Sequence, residues 1–159
     1  MKIIVAPASF KGSLTSTEAA KCIAEAAREA LPRAEIVEFP FSDGGEGFVD
    51  VLVRGTGGKP LELEVDGPLP QQRVRARWGI LRDTRTGVIE MAAAAGLSLV
   101  PKGKRDPKIT TTFGLGQLIK TALDRGIKRI VVGIGGSATN DGGAGMAQAL
   151  GAHLLRKDG

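Results

Sequence analysis

The sequence predicts an α/β fold in which parallel-sheet βαβ units carry a β-hairpin insertion. Short, fully apolar segments alternate along the chain with segments of helical periodicity, which is typical of strands buried in a parallel sheet. In the middle of the chain, two segments alternate apolar and polar residues on either side of an Asp-Gly-Pro break, which indicates an antiparallel hairpin. With 159 residues, 42% of them hydrophobic and 25% charged, the chain can bury a hydrophobic core.

The N-terminal part predicts the first βαβ unit. Residues 2–6 are apolar and predict a strand. A capping box of Thr15 and Glu18 then begins a helix over residues 16–31, whose apolar residues recur at helical spacing. Residues 35–39 predict the second strand. A strand, a helix and a strand in this order favour a parallel pair with a right-handed crossover.

The middle of the chain predicts a helix, the hairpin and a further strand. The helix covers residues 48–53, and the hairpin pairs residues 59–66 with residues 72–81. Residues 86–91 predict the strand that follows. The polar, basic residues 101–107 predict a loop and are the best candidate for a linker.

The C-terminal third again alternates helices and strands. Three threonines offer an N-cap to a helix that a glycine ends, and a buried strand, a glycine-rich loop and a second helix follow. The last apolar residues predict a strand that leads into a hairpin turn. These segments are 110–126, 129–134, 142–150, 152–155 and the turn 157–159.

We divide the chain into two α/β segments, residues 1–58 and residues 59–159. The second segment is expected to be truncated, because the turn at residues 157–159 has no returning strand in the sequence. A strand edge without a partner can pair with another chain, so a homodimer is one hypothesis.

Charge and composition argue against several function classes. The net charge is +5, but one Trp, five Phe and no Tyr give no stacking platform for nucleic acid. No stretch approaches about 18 apolar residues, so no membrane span is predicted, and the N-terminal apolar run is too short for a signal peptide. We therefore expect a cytoplasmic protein. Cys22 is the single cysteine, cannot form an intramolecular disulfide, and is expected to be buried in the first helix.

Three glycine-containing loops follow predicted strands, and such loops line the ligand crevice of an open α/β sheet. They cover residues 7–14, 40–47 and 135–145. Successive small residues expose backbone amides, so we interpret the last loop as a cradle for phosphate or carboxylate; the alternative is a loop that only turns the chain. The candidate binding residues are Ser9, Gly44, Gly45, Glu46, Glu90, Gly135, Gly136, Ser137, Thr139 and Asn140.

Charged residues in the same loops are the candidate catalytic groups. Lys11 is predicted to contact an anionic oxygen as a point charge, although a solvated lysine is the simpler alternative. Asp43 is predicted to act as general base or as a ligand of a divalent cation, and Asp141 to take the other role or to cap a helix. The motif of P-loop kinases does not occur in the sequence.

Residues 133–138 fit the G-x-G-x-x-A pattern of dinucleotide-binding proteins. In that motif the helix begins directly after the glycines, whereas here a polar loop is predicted to intervene. An NAD-binding dehydrogenase domain is therefore kept only as a further alternative.

Five motifs, in order, resemble the bacterial glycerate kinase family: residues 5–14, 42–47, 89–97, 111–114 and 134–146. The resemblance implies ATP-dependent transfer of the γ-phosphoryl group to a hydroxyl of D-glycerate, with Mg²⁺. It also implies a two-lobed α/β fold with the site in the cleft. Members of the family are considerably longer, so the chain resembles only their N-terminal part and is expected to be an incomplete part of such a kinase.

The chain departs from the family pattern at Ala8, where the pattern has Asp. A methyl group can neither bind a metal nor accept a proton, so this residue and the truncation both predict impaired activity. The alternative is a non-catalytic fragment that binds a small anion or a partner chain.

Overall fold

A computed structural model describes residues 1–10 and 12–156. Strands and helices alternate through most of this part of the chain, and short 3-10 turns cover Leu97–Leu99 and Lys102–Lys104. The elements are β1 (Lys2–Val5), α1 (Ser16–Ala30), β2 (Glu35–Glu38), α2 (Phe48–Thr56), β3 (Lys59–Asp66), β4 (Arg73–Ile80), β5 (Thr86–Glu90), α3 (Met91–Ala95), α4 (Phe113–Asp124), β6 (Arg129–Gly133) and α5 (Ala144–Ala149).

The N-terminal βαβ unit forms as the sequence predicts. β1 and β2 pair in parallel, with Lys2 opposite Glu35. α1 packs on one face of this pair, where Ala20 and Ala24 contact Val5 in a small buried cluster. The predicted capping box begins α1, because the side chains and backbone amides of its first turn satisfy one another.

The second sheet contains four strands in the order β3-β4-β5-β6. β3, β4 and β5 are antiparallel neighbours, which confirms the predicted hairpin, and β6 joins β5 in parallel. Helices cover both faces. On one face α3 and α4 bury Trp78, Ile89, Leu115 and Leu118. On the other face α2 packs on β5, so the glycine-rich loop that precedes α2 is held against this sheet.

Several local predictions were wrong. Cys22 is exposed, because it lies about two positions from Ala20 and Ala24 and therefore on the opposite side of α1. Residues 152–156 are exposed and form no strand, since the described residues give them no partner strand; the turn predicted at 157–159 lies outside the described residues.

Among the residues that the structure describes, no helix combines the length and apolar character needed to cross a membrane.

Asp83 joins the turn between β4 and β5 to β6. Its carboxylate accepts hydrogen bonds from the Thr86 hydroxyl (2.7 Å), from the backbone amides of Arg85 (3.0 Å) and Thr86 (2.9 Å), and from the Arg129 guanidinium (2.6 Å). The Thr86 hydroxyl, the two amides and Arg129 together lower the pKa of Asp83 to about 2, against the opposing effect of burial.

This network predicts an acid-sensitive part of the folding stability. Because the pKa of Asp83 is lower in the folded chain, its contribution is present above the unfolded pKa and is lost as the pH falls from about 4 towards about 2. We expect Asp83→Asn to flatten this part of the curve of unfolding free energy against pH, measured by urea unfolding. Asp50→Asn, which removes another aspartate–arginine pair, is the control and should leave that part of the curve in place. An unchanged slope in Asp83→Asn would contradict the assignment.

Candidate functional site

Three loops at the carboxyl ends of parallel strands are joined by backbone hydrogen bonds. The amide of Phe41, after β2, donates to the carbonyl of Pro7, after β1 (3.0 Å). The amide of Gly135, after β6, donates to the carbonyl of Gly44 (2.9 Å). The loops that follow β1, β2 and β6 are therefore neighbours, and residues 42–47 lie in the middle.

Glycines allow the two glycine-rich loops to touch through their backbones. A Cβ atom on Gly135 would lie 2.7 Å from the Cα of Gly45 and 2.8 Å from its nitrogen, closer than real Cβ contacts. A Cβ on Gly133 would lie 2.6 Å from the carbonyl oxygen of Gly44, which itself has a φ of +96°. These glycines thus serve the contact between the two loops and not only an approach to a ligand.

Asp43 lies exposed at the tip of its loop. Its Oδ1 accepts a hydrogen bond from the amide of Gly45 (3.2 Å), and within the described residues Oδ2 has no hydrogen-bond partner. The hydroxyl of Ser42 accepts from the amide of Gly44 (3.3 Å), and Glu46 is exposed beside them. The Asp43 carboxylate is therefore held by its loop and still free to bind a ligand.

A large cavity borders this loop. It has a volume of about 720 Å³, lies between α1, β2 and α2, and is lined by Phe39, Phe41, Ser42 and Phe48. That volume is in the range of small-molecule sites.

Glu90, the last residue of β5, lies next to the start of α2. Its carboxylate is 8% exposed and accepts a hydrogen bond from the amide of Val49 (3.4 Å). Burial raises the pKa of Glu90, and the amides of Val49, Gly47 and Phe48 oppose that effect. The side chain therefore holds the helix that follows the Asp43 loop, and its position is internal rather than open to a ligand.

Asp141 connects α4 to the loop after β6. Its Oδ2 accepts hydrogen bonds from the amide (2.8 Å) and the hydroxyl (2.8 Å) of Thr112 and from the amide of Gly145 (3.2 Å), while Oδ1 accepts from the amide of Gly143 (3.1 Å). Burial raises the pKa of Asp141, but the amide and hydroxyl of Thr112 and the two glycine amides outweigh it, so the pKa is lowered overall. An anion with four donors is a weak proton acceptor.

The loop between β6 and Asp141 presents hydroxyl groups. The Ser137 and Thr139 hydroxyls are 2.8 Å apart, and the amide of Thr139 donates to Ser137 Oγ (3.0 Å). The carbonyl of Gly136 accepts from the amide of Leu97 (2.8 Å), which ties the loop to the segment after α3. Asn140 is exposed at the end of this stretch.

The remaining candidates are the loop after β1 and the dinucleotide motif. Ser9 is half-buried in the loop after β1, and Ala8 beside it is exposed. Lys11 lies outside the described residues. The dinucleotide motif does not form its usual turn, because residues 134–143 separate the end of β6 from the start of α5.

Sequence reasoning missed Thr112 as a residue of the candidate site. It is 2% exposed, donates to Asp141 and accepts from the amide of Met146 (2.9 Å) through its hydroxyl. The signal was a run of three threonines before a helix, which we interpreted as an N-cap and, through residues 111–114, as one of the family motifs, but not as a partner of Asp141.

The described residues contain no group of three or more histidine, cysteine, aspartate or glutamate side chains arranged to hold a metal ion. Mg²⁺ in phosphoryl-transfer sites is bound by one or two carboxylates together with substrate phosphates, and Asp43 could supply one of these carboxylates. The described carboxylates therefore fit a Mg²⁺ site completed by substrate phosphates rather than one formed by protein side chains alone.

Comparison with known proteins places this arrangement in a family. The sequence model of the glycerate kinase family matches residues 3–159. The chain belongs to the glycerate kinase family. Among curated relatives, the glycerate kinase of Bacillus subtilis (strain 168) is 56% identical over 159 residues, and the glycerate 2-kinase of Escherichia coli (strain K12) is 52% identical over 159 residues.

The fold agrees with that of a solved glycerate kinase family structure. A protein from Salmonella typhimurium LT2 assigned as glycerate kinase 2 matches the whole chain with a TM-score of 0.81 at 52% sequence identity. The chain covers 42% of that structure, and it covers 41% and 42% of the Bacillus subtilis and Escherichia coli relatives. The chain thus spans about two-fifths of the length of the glycerate kinases that it matches.

Proposed function

We propose that this chain provides part of a kinase that transfers the γ-phosphoryl group of ATP to a hydroxyl of D-glycerate. The observation that carries the proposal is the junction between the Asp43 loop and the Gly135 loop, whose backbones are 2.9 Å apart between Gly135 N and Gly44 O. One of the two joined loops carries the available Asp43 carboxylate, and the other carries hydroxyl groups and backbone amides. Membership in the glycerate kinase family supports the proposed substrate class.

The proposed roles follow from which groups have partners. Asp43 accepts the proton of the attacking hydroxyl, because its carboxylate has a free oxygen. Ser137, Thr139 and the amides around Gly135 bind anionic oxygens of the substrates. Asp141 positions this loop, since all four of its hydrogen bonds are to other groups of the protein. Phosphoryl transfer depends mainly on such positioning and on neutralising charge.

The proposal also assigns roles to Lys11 and to Mg²⁺. Lys11 is proposed to pair with an anionic oxygen in the loop after β1. Mg²⁺, when bound with ATP, would neutralise developing charge on the phosphates, and Asp43 is the residue proposed to hold it if proton acceptance falls to another group. A cytoplasmic location and self-association also remain proposals; the exposed apolar side chains of Ile4 (63%) and Ile134 (71%) support the second.

A coupled assay of ADP formation tests the proposal on two proteins. One is the chain itself. The other is a chimera in which these 159 residues replace the matched residues of the Bacillus subtilis relative, so that the remaining part of that protein is present. We expect ADP formation that requires D-glycerate in the chimera, and faster turnover when it carries Ala8→Asp, because that change restores the acid of the family pattern.

The alternative, a non-catalytic protein that binds a small anion, predicts a different pattern. It would give a D-glycerate-dependent increase in melting temperature without turnover in any of these proteins. A folded chimera with Ala8→Asp that forms no ADP would overturn the proposed activity.

A further inference from the structure

A second, more polar cavity lies between the segment after α3 and the loop after β6. Its volume is about 360 Å³. Arg105, Ser137, Thr139 and Asn140 supply polar groups to its wall, and the amino acids around them are mostly apolar. The cavity therefore combines the Arg105 guanidinium and the Asp106 carboxylate with neutral polar side chains on joined segments of backbone.

Among the described residues, Arg105 is one of seven arginines that have no carboxylate partner. Five other arginines form ion pairs with aspartate or glutamate: Arg28, Arg73, Arg75, Arg77 and Arg129. Arg105 Nε donates instead to the carbonyl of Val100 (3.3 Å), which holds the guanidinium plane beside the cavity. Within the described residues its terminal nitrogens have no protein acceptor, so they are free to bind an anion.

The wall opposite Arg105 is held in place by hydrogen bonds. The hydroxyl of Thr110 donates to the carbonyl of Ala138 (2.9 Å), and Thr110 is 5% exposed. The amide of Ala138 donates in turn to the carbonyl of Ala95 (2.8 Å). Ser137 and Thr139 flank this fixed residue, so the hydroxyl groups face the cavity from a rigid stretch of backbone.

The geometry points to this cavity as an oxyanion site in which Arg105 supplies the charge, and Asn140 together with one hydroxyl of the hydrogen-bonded Ser137–Thr139 pair donates hydrogen bonds. A guanidinium binds carboxylate or phosphate through two parallel hydrogen bonds, and this planar match favours arginine over lysine. The inference rests on the proposed function, because the ligand is then the carboxylate of a small hydroxy acid or a phosphate of the nucleotide. It assigns to Arg105 a binding role in place of the linker role that the composition of residues 101–107 indicates.

An acidic side chain and another cavity lie next to this site. Asp106 also lines the cavity, but its Oδ1 accepts a hydrogen bond from the amide of Lys108 (2.9 Å), so one carboxylate oxygen is committed to the backbone. Arg105 also borders a third cavity of about 420 Å³. That cavity is lined by Leu69, Pro70, Lys104 and Ile109 and gives no side-chain hydroxyl to an anion.

Binding to the chain of 159 residues tests the site without requiring turnover. D-glycerate and inorganic pyrophosphate are titrated separately, and amide chemical shifts are followed by NMR. We expect shifts at residues 137–140 and at Arg105, and an affinity about 10- to 100-fold lower in Arg105→Gln. Arg105→Lys should restore only part of the loss. Lys104→Gln is the matched control, because it removes the same charge from the next residue, which lines the other cavity.

The outcomes separate this site from the proposed activity. An Arg105-dependent loss for D-glycerate identifies a carboxylate site, and a loss for pyrophosphate identifies a phosphate site; either supports the inference, even if the chimera shows no turnover. Equal losses in Arg105→Gln and Lys104→Gln, or no ligand-dependent shifts at residues 137–140, would overturn it. A chimera that keeps its KM for both substrates after Arg105→Gln would overturn it while leaving the kinase activity established.

Discussion

Replacing Asp43 by asparagine is expected to lower turnover about 10²- to 10⁴-fold in the chimera that carries Ala8→Asp. Asparagine keeps the size of the side chain and its oxygen can still accept the hydrogen bond from Gly45, so the loop should keep its shape. What is lost is the negative charge and the capacity to accept a proton from a hydroxyl. The measurement is kcat and KM for D-glycerate in the coupled assay, together with the free energy of unfolding from urea titration.

The matched control for Asp43 is Glu46→Gln, which removes a second exposed acid from the same loop. We expect it to change kcat by less than about tenfold. If Asp43 acts as the base, the loss should fall on kcat and the acidic limb of the pH–rate profile should change. A loss confined to the dependence on Mg²⁺ concentration would instead assign Asp43 to the metal. Turnover close to that of the parent would remove Asp43 from the mechanism.

Elements whose signals are local could be predicted from the sequence. The capping box of Thr15 and Glu18 fixes the start of α1, and the alternation of residues around Asp66 fixes the β3–β4 hairpin in register. Each of these signals lies within a few residues, so the side chains that specify the element are those that form it. α3 was not predicted, because Ala92–Ala95 carry no amphipathic pattern; tertiary packing decides that helix, as the full burial of Ala94 and Ala95 indicates.

The site could be predicted as a set of loops but not as a set of contacts. Glycine clusters after strands located the three loops, yet nothing local shows that Gly135 and Gly45 need their missing side chains for each other. Glu90 looks like a loop-end acid in the sequence, and only the fold places the α2 amides above it. Arg105 looks like one member of a solvated basic run. In each case a residue distant in sequence determines the environment.

Asp141→Ala is expected to lower the free energy of unfolding by roughly 2–4 kcal/mol. The substitution leaves the amides of Gly143 and Gly145 and both donors of Thr112 without their acceptor, and Thr112 is buried. Because the loop can relax and water can enter, the loss should be smaller than the summed free energies of four separate hydrogen bonds. Urea unfolding near neutral pH measures the loss, and Asp106→Ala, which removes a carboxylate with one amide partner, should cost less than about 1 kcal/mol.

Turnover in the chimera distinguishes a positioning role for Asp141 from a direct one. Because all four hydrogen bonds join protein groups that follow β6 or precede α4, loss of the carboxylate should displace Ser137 and Thr139 and raise KM as well as lower kcat. Asp141→Asn keeps one acceptor oxygen and should recover part of both stability and turnover, since a positioning residue needs acceptors rather than basicity. If Asp141→Asn keeps full stability and loses all turnover, the carboxylate acts on the reacting groups themselves, and the division of roles between Asp43 and Asp141 is reversed.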